Sequence, residues 1–330
     1  MRIRPLGSTG LQVSPVGLGL AALGRPAYID LGRDADLGDD RGVEALERRC
    51  HEVLDAAFAA GVRYLDAARS YGLAEAFLAS WLQGSGLDPA EVTVGSKWGY
   101  TYVGDWRMDA EVHEVKDHSL AALARQVRES RELLGDHLDL YQVHSATLDS
   151  GVLSDRAVLD ELARLRDDGL VIGLSSSGPG QAATIRRALE ATADGAAPFA
   201  CVQATWNLLE PSAGPALAEA SAAGWGVIVK EAVANGRLTP HGDDHGHGPA
   251  AVLDRVAARH EVGVDAVALA AVLANPWADV VLSGAVTPAQ LEANLAALRV
   301  ELTPGDLEEL AALAEPPERY WEERSALSWS

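Results

Sequence analysis

Val62-Arg-Tyr-Leu-Asp-Ala-Ala-Arg-Ser-Tyr-Gly72 decides how this chain is read. It opens as a β-rich run, stops at Asp66 and passes through a Ser-Tyr-Gly turn. Helical sequence follows over 74–82, and Val92-Thr-Val-Gly-Ser-Lys97 begins the next apolar run. A strand, a helix and a second strand at this spacing predict a βα unit with parallel strands.

The same unit recurs on both sides. Val16-Gly-Leu-Gly-Leu20 reads as an earlier strand, with a helix over 43–60. Later strands are expected at 138–144, 170–174, 199–203, 225–229 and 280–282. The helices between and after them fall at 119–134, 155–168, 181–193, 213–223, 250–273 and 288–298. Eight such units predict an α/β fold, a single (β/α)8 TIM barrel, which needs about 250 residues. The chain has 330, which leaves room for an N-terminal hairpin (1–14) and a C-terminal helix and tail (301–330). A doubly wound open sheet would place a Gly-rich phosphate loop directly before its first helix. Here Gly17-Leu-Gly19 runs into Leu-Ala-Ala-Leu-Gly24 and then a loop, so the barrel is preferred and 1–330 reads as one domain.

Composition narrows the function. Hydrophobic residues make up 48% of the chain, enough to bury a sizeable core. With 27 basic and 48 acidic residues the net charge is −21, which argues against nucleic acid and anionic membranes as partners. No run of about 18 uncharged apolar residues offers a membrane span. The opening Met1-Arg-Ile-Arg-Pro-Leu-Gly7 lacks the apolar stretch of a secretion signal, and two isolated cysteines, Cys50 and Cys201, suit a reducing compartment. A cytoplasmic location is the expectation. His241-Gly-Asp-Asp-His-Gly-His247 carries metal-ligating side chains, but its glycines fix no geometry, so it reads as a solvated loop and no metal is expected. Only Lys97, Lys116 and Lys230 among the 27 basic residues are lysines. Lys can lower its pKa and enter proton chemistry; Arg cannot.

The strand ends carry the chemistry. A barrel would bring Asp66, Lys97 and His144 to one mouth, with Tyr71 five residues beyond Asp66. Taken singly, Tyr71 reads as a loop residue, Asp66 and Lys97 as an ion pair, and His144 as a core histidine. Taken together they fit proton transfer at a carbonyl. Reduction by hydride makes an alkoxide that needs a proton donor and positive potential beside it. Tyr71 would be the acid, Lys97 would lower its pKa, Asp66 would hold the ammonium, and His144 would orient the oxygen.

These segments resemble the aldo-keto reductase family over nearly the whole chain. The likeness rests on Pro5-Leu-Gly-Ser-Thr-Gly-Leu-Gln-Val-Ser14, Tyr64-Leu-Asp66 through Tyr71-Gly72 with Glu75, Gly95-Ser-Lys97, and Asp139-Leu-Tyr-Gln-Val-His144. The resemblance implies a nicotinamide cofactor, NADP(H) in most of the family with NAD(H) as the alternative, and a small carbonyl or alcohol substrate. It implies that Gly19, Asp66, Ser175, Ser176, Gln203, Lys230 and Val233 border the cofactor, and that Ser283, Gly284, Gln290 and Asn294 hold its adenosine end. Trp98, Tyr100, His144 and Trp206 are the expected substrate wall, while the aromatic run Trp98, Tyr100, Tyr102 and Trp106 also suits plain hydrophobic packing.

Two departures stand out. The family places Arg or Lys near the positions of Gly284, Val286 or Gln290 to pair with a 2′-phosphate, and none of these is basic. The family also ends its seventh strand with an aromatic ring that stacks on the nicotinamide, where this chain has Lys230-Glu231. A redox-neutral enzyme using the Lys230 amine and a non-catalytic cofactor-sensing subunit therefore stay open as alternatives. No motif specifies an oligomeric state.

Overall fold

The computed structural model describes residues 1–193, 195–242 and 250–329. Two short strands, β1 (Arg4–Pro5) and β2 (Gln12–Val13), pair antiparallel around a turn in which Gly7 and Gly10 have φ of 50° and 85°. A Cβ at Gly7 would meet the backbone of Trp225 and Gly226 at 2.4 Å, so only glycine allows this approach. The hairpin packs Leu6 and Val13 against Tyr64, Cys201, Ile228 and Val280.

Eight parallel strands form the closed barrel. They are β3 (Val16–Gly19), β4 (Tyr64–Asp66), β5 (Thr93–Trp98), β8 (Leu138–Ala146), β9 (Val171–Ser176), β10 (Cys201–Thr205), β11 (Gly226–Lys230) and β12 (Val280–Ser283). Pairing of Val281 with Val16 and of Ser283 with Leu18 joins the last strand to the first. All eight C-terminal ends therefore share one rim, which is the expected (β/α)8 architecture. Helices α2 (Val43–Ala59), α3 (Ala74–Ser85), α4 (Leu120–Leu134), α5 (Arg156–Asp167), α6 (Gln181–Leu189), α7 (Gly214–Ala222), α8 (Ala250–His260), α9 (Val264–Leu273) and α10 (Pro288–Leu295) accompany the strands. Helix α5 shows how the sequence specifies them. Asp155 caps it by accepting from the amides of Ala157 (3.0 Å) and Val158 (3.2 Å), and Val158, Leu159, Leu162 and Leu165 supply the buried stripe.

Local structure departs from the sequence reading where a turn or a proline hid it. The helical pattern over 250–273 is two helices, because the chain turns at Glu261 (φ 55°) before Gly263. The loop after β3 contains a short helix, α1 (Arg33–Leu37), whose Arg33 is buried and donates to the carbonyls of Ala22 and Pro26. The loop after β5 folds into an antiparallel ribbon, β6 (Tyr100–Tyr102) and β7 (Glu114–Lys116). Beyond the expected tail helix, α11 (Pro304–Ala311), the apparently irregular end forms another, α12 (Pro317–Ser325). Proline at its first turn serves as a helix start, and Tyr320 and Trp321 provide its buried face.

Tyr64 spans the barrel interior with its hydroxyl 3.0 Å from Asp66, and a Cβ on Gly95 would come within 2.4 Å of that hydroxyl. A rigid ring cannot yield as a flexible chain would, so Gly95→Ala should cost about 1–3 kcal/mol and lower the melting temperature by a few degrees. Calorimetry on the purified variant checks this; an unchanged melting temperature would contradict the packing described.

Candidate functional site

The rim brings together the four side chains expected there. Asp66 closes β4, Lys97 stands one residue before the end of β5, and Tyr71 follows on the loop after β4. That loop is tied to β5 through Ala67 N to Gly95 O (2.8 Å) and Arg69 N to Lys97 O (3.0 Å). His144 belongs to β8, where pairing with β9 slips between Val143 and Ala146 and Ser145 takes φ 48°. The fully buried Lys97 Nζ contacts Asp66 Oδ1 and donates to Ala67 O at 3.0 Å and Tyr71 Oη at 3.4 Å. Asp66 Oδ2 accepts from Tyr64 Oη (3.0 Å) and Gln203 Nε2 (2.8 Å). The Tyr71 and His144 rings meet edge to face, 5.4 Å between centroids, and His144 Nδ1 lies 3.3 Å from Ser70 Oγ.

Burial governs the proton affinities. It lowers the pKa of Lys97, and Asp66 opposes that shift. It also holds His144 well below the usual imidazole range, helped by the charges of Lys97, Lys230 and Arg25, so the ring is neutral at pH 7. When Ser70 donates to Nδ1, the ring proton resides on Nε2. Tyr71 corrects an expectation. Burial and then Asp66 push its phenol well above the ordinary value, opposed by Arg25. The net direction is upward, where the sequence predicts a phenol acidified by Lys97, because loss of solvent and the Asp66 carboxylate dominate. Tyr71 therefore keeps its proton at neutral pH.

A cavity of about 490 Å³ opens over this group. Asp66, Tyr71, Tyr100 and His144 line it, and so do Gly19, Gln203, Lys230, Val233, Ser283 and Gly284. Lys97 lies beneath, in contact with Tyr71. Other expected residues stand outside the wall. Ser175 Oγ accepts from Ser145 N (2.8 Å), Ser176 has a buried hydroxyl without a partner, and Ser177 lines the cavity instead. Asn294 Nδ2 donates to Ser283 Oγ (2.8 Å); Gln290 accepts from Val286 N (2.9 Å) and donates to Asp36 Oδ2 (2.5 Å). Trp98 and Trp206 do not line the cavity. Strand alternation that aims Lys97 inward turns Trp98 to the other face, where it packs on His118 at 5.7 Å. Trp206 packs on Trp277 at 5.7 Å, in space left by Gly214.

The remaining wall comes from the loops after β3 and β5 and from the tail. Arg25 and Tyr28 come from the loop after β3, Glu114 and Lys116 from β7, and Trp321, Arg324 and Trp329 from the tail. Lys230 Nζ lies 2.7 Å from Thr205 Oγ1, 3.3 Å from Ser177 Oγ and 3.6 Å from the Glu231 carboxylate. Burial brings its pKa down to about 8 against the pull of Glu231, with Arg324 lowering it further. Burial would raise Glu231, yet Arg324 and Lys230 hold it at about 2. Arg324 clamps both Glu231 oxygens and so ties α12 to the end of β11. Residues 243–249 of the His-rich loop lie outside the described residues; His241 Nε2 is 3.6 Å from Asp36. Among the described residues, no group of three or more His, Cys, Asp or Glu side chains could hold a metal ion.

The sequence profile of the Aldo/keto reductase family matches residues 37–315. This chain belongs to the aldo/keto reductase family. As an aldo/keto reductase it joins a group of oxidoreductases that generally use nicotinamide cofactors on small carbonyl substrates. It is 26% identical to a D-threo-aldose 1-dehydrogenase from a Pseudomonas species, over 93% of this chain and 98% of that one. It is 27% identical to the uncharacterized oxidoreductase YqkF of Bacillus subtilis (strain 168), over 54% of this chain and 50% of that one. The holo form of aldo-keto reductase AKR11C1 from Bacillus halodurans superposes with a TM-score of 0.72 at 23% identity, covering 96% of this chain and 97% of that one, and so shares the fold. No helix among the described residues is long and apolar enough to cross a membrane.

Replacing Glu231 with Gln would leave two cations, Lys230 and Arg324, without their shared counter-charge. Unfolding in urea should reveal a loss of about 3–5 kcal/mol. The deficit should shrink as pH rises and Lys230 releases its proton, since a neutral amine no longer needs the carboxylate. A deficit that does not change with pH would assign the loss to packing alone.

Proposed function

We propose that this protein is an NAD(P)H-dependent carbonyl reductase or alcohol dehydrogenase, acting as one barrel domain in the cytoplasm. Its substrate would be an aldehyde, a ketone or a sugar lactol. One observation carries the reading: a phenol and an imidazole ring face one cavity, with a buried ammonium beneath it, 3.4 Å from the phenol oxygen. The match to D-threo-aldose 1-dehydrogenase across 93% of the chain supports testing sugar lactols first.

The residues present fit a nicotinamide cofactor. Ser176 keeps a buried hydroxyl without a partner, Gln203 offers an amide at the cavity wall, and a side chain at Gly284 would meet open space. Ser175, Ser176 and Gln203 would hold the carboxamide, and Ser283, Gly284, Gln290 and Asn294 the adenosine end. When bound, the cofactor supplies or accepts a hydride. The protein's own part is proton transfer and orientation. His144 donates from Nε2 to the carbonyl oxygen and sets its direction. Tyr71 gives its hydroxyl proton to the oxygen as negative charge develops there. The resulting phenolate lies beside the Lys97 ammonium, whose charge Asp66 holds in place. Solvent then returns a proton to Tyr71.

Tyr71→Phe should lower carbonyl reduction by about 10²- to 10⁴-fold. Nicotinamide fluorescence should show its affinity for the reduced cofactor within about twofold of the parent. Retained turnover would overturn the assignment of Tyr71 as acid.

A preference for NAD(H) over NADP(H), the alternative to what the resemblance implies, is supported by the side chains beside Gln290. Asp36 accepts from Gln290 at 2.5 Å, and a carboxylate there opposes a 2′-phosphate while accepting from ribose hydroxyls. Fluorescence titration should give tighter binding of NADH than of NADPH, and Asp36→Asn should narrow the gap. Tighter NADPH binding by the parent protein would reverse this preference.

A further inference from the structure

We infer that Arg25 and Lys116 form a subsite for an anionic group, a carboxylate, carried by the carbonyl substrate. The inference rests on the function proposed above and names the substrate's chemical class.

Charge distribution is the first argument. The chain carries a net charge of −21 and three lysines; Lys116 and Lys230 line one cavity, and Lys97 lies buried beneath it. Lys97 is paired with Asp66, and Lys230 shares Glu231 with Arg324. Lys116 lines the wall and donates only to a neutral acceptor, Ser145 O at 3.0 Å, among the described residues. Burial lowers its pKa, and Asp149 opposes that shift.

Arg25 supplies the second argument. It is 2% exposed and surrounded by the rings of Tyr28 (5.0 Å), Tyr71 (5.3 Å) and Trp329 (4.7 Å). It donates to Ser70 O (3.1 Å) and Glu114 (2.9 Å), while its Nε is buried without a partner. A buried guanidinium nitrogen left unbonded is costly unless a ligand supplies the acceptor.

Geometry places both cations on the half of the rim where Tyr71 and His144 stand. Arg25 follows β3, Tyr71 follows β4, Lys116 follows β5 and His144 belongs to β8, and these strands are neighbours in the barrel. Arg25 lies over the Tyr71 ring. Lys116 lies over the Tyr100 ring (5.6 Å), which in turn sits 5.1 Å from the His144 ring. Most residues suited to the cofactor come from β9 to β12, on the other half; Gly19, Asp36 and Asp66, from β3, the loop after it and β4, are the exceptions. Glu114 stands two residues before Lys116 on the same face of β7, and it would repel an anion if unpaired. Arg25 takes up that charge, so the trio Arg25, Glu114 and Lys116 retains one positive charge. One carboxylate on the substrate balances it.

Two aldehydes of matched length, 4-oxobutanoate and butanal, test the subsite. The parent enzyme should show kcat/KM at least about tenfold higher for 4-oxobutanoate, and added salt should shrink the ratio. Lys116→Met should cut the ratio by about tenfold, Lys116→Arg should restore most of it, and Arg25→Gln should lower it in the same direction. Reduced-cofactor affinity, read by nicotinamide fluorescence, reports whether these cations serve the cofactor's phosphates instead. A fall in that affinity with an unchanged aldehyde ratio overturns the inference, as does an equal preference in the parent enzyme. Should neither aldehyde turn over, the proposed function is the part in difficulty. Calorimetric titration of the cofactor-loaded protein with succinate then decides the subsite: binding weakened about tenfold by Lys116→Met supports it, and equal or absent binding in both proteins refutes it.

Discussion

A lysine with no solvent exposure next to an aspartate with almost none is the constraint around which the mouth of this barrel is organised. Removing both charges from water costs several kcal/mol each, and their attraction alone does not repay that. The pair is tenable because its remaining valences are met: Ala67 O receives the ammonium, and Tyr64 and Gln203 donate to the carboxylate. Those partners come from the β4 strand, the loop beyond it and β10, so the pair draws opposite sides of the barrel toward one point. Its positive pole then shapes the neighbours. Lys97 helps keep His144 neutral and stands ready beside the Tyr71 hydroxyl.

The architecture could be read from sequence because βα units announce themselves twice, by apolar runs and by helical periodicity. The four chemistry-bearing residues were legible for a related reason: each sits at, near or just beyond a strand end, and a parallel barrel sends all such ends to one rim. What escaped the reading lay in loops and packing. Trp98 looked like a wall residue by composition, yet one step of strand alternation from Lys97 sends it into the core. Arg25 and Lys116 carry no local motif; their meeting depends on where two long loops fold. Tyr71's raised pKa was missed because a pairwise view of phenol and ammonium omits Asp66 and the loss of solvent.

A second charged group stands on the opposite half of the rim. Lys230, Glu231 and Arg324 form a chain of alternating charge, with Thr205 bonded to the first two. Through Arg324 the tail helix becomes part of the cavity wall, and Trp321 comes with it. The unusual Lys230 at the end of β11 is therefore not an isolated substitution. It belongs to a local arrangement that includes a left-handed turn at Glu231 (φ 57°) and a hydrogen bond from Asn207 to that residue's carbonyl.

With Lys116 and Lys230 at one opening and Lys97 buried beneath it, the rest of the outer surface carries no lysine. Reagents that couple to side-chain amines would therefore attach the protein by its mouth. Attachment through those lysines would block ligand entry, whereas coupling through the exposed N-terminal amine would leave the opening clear.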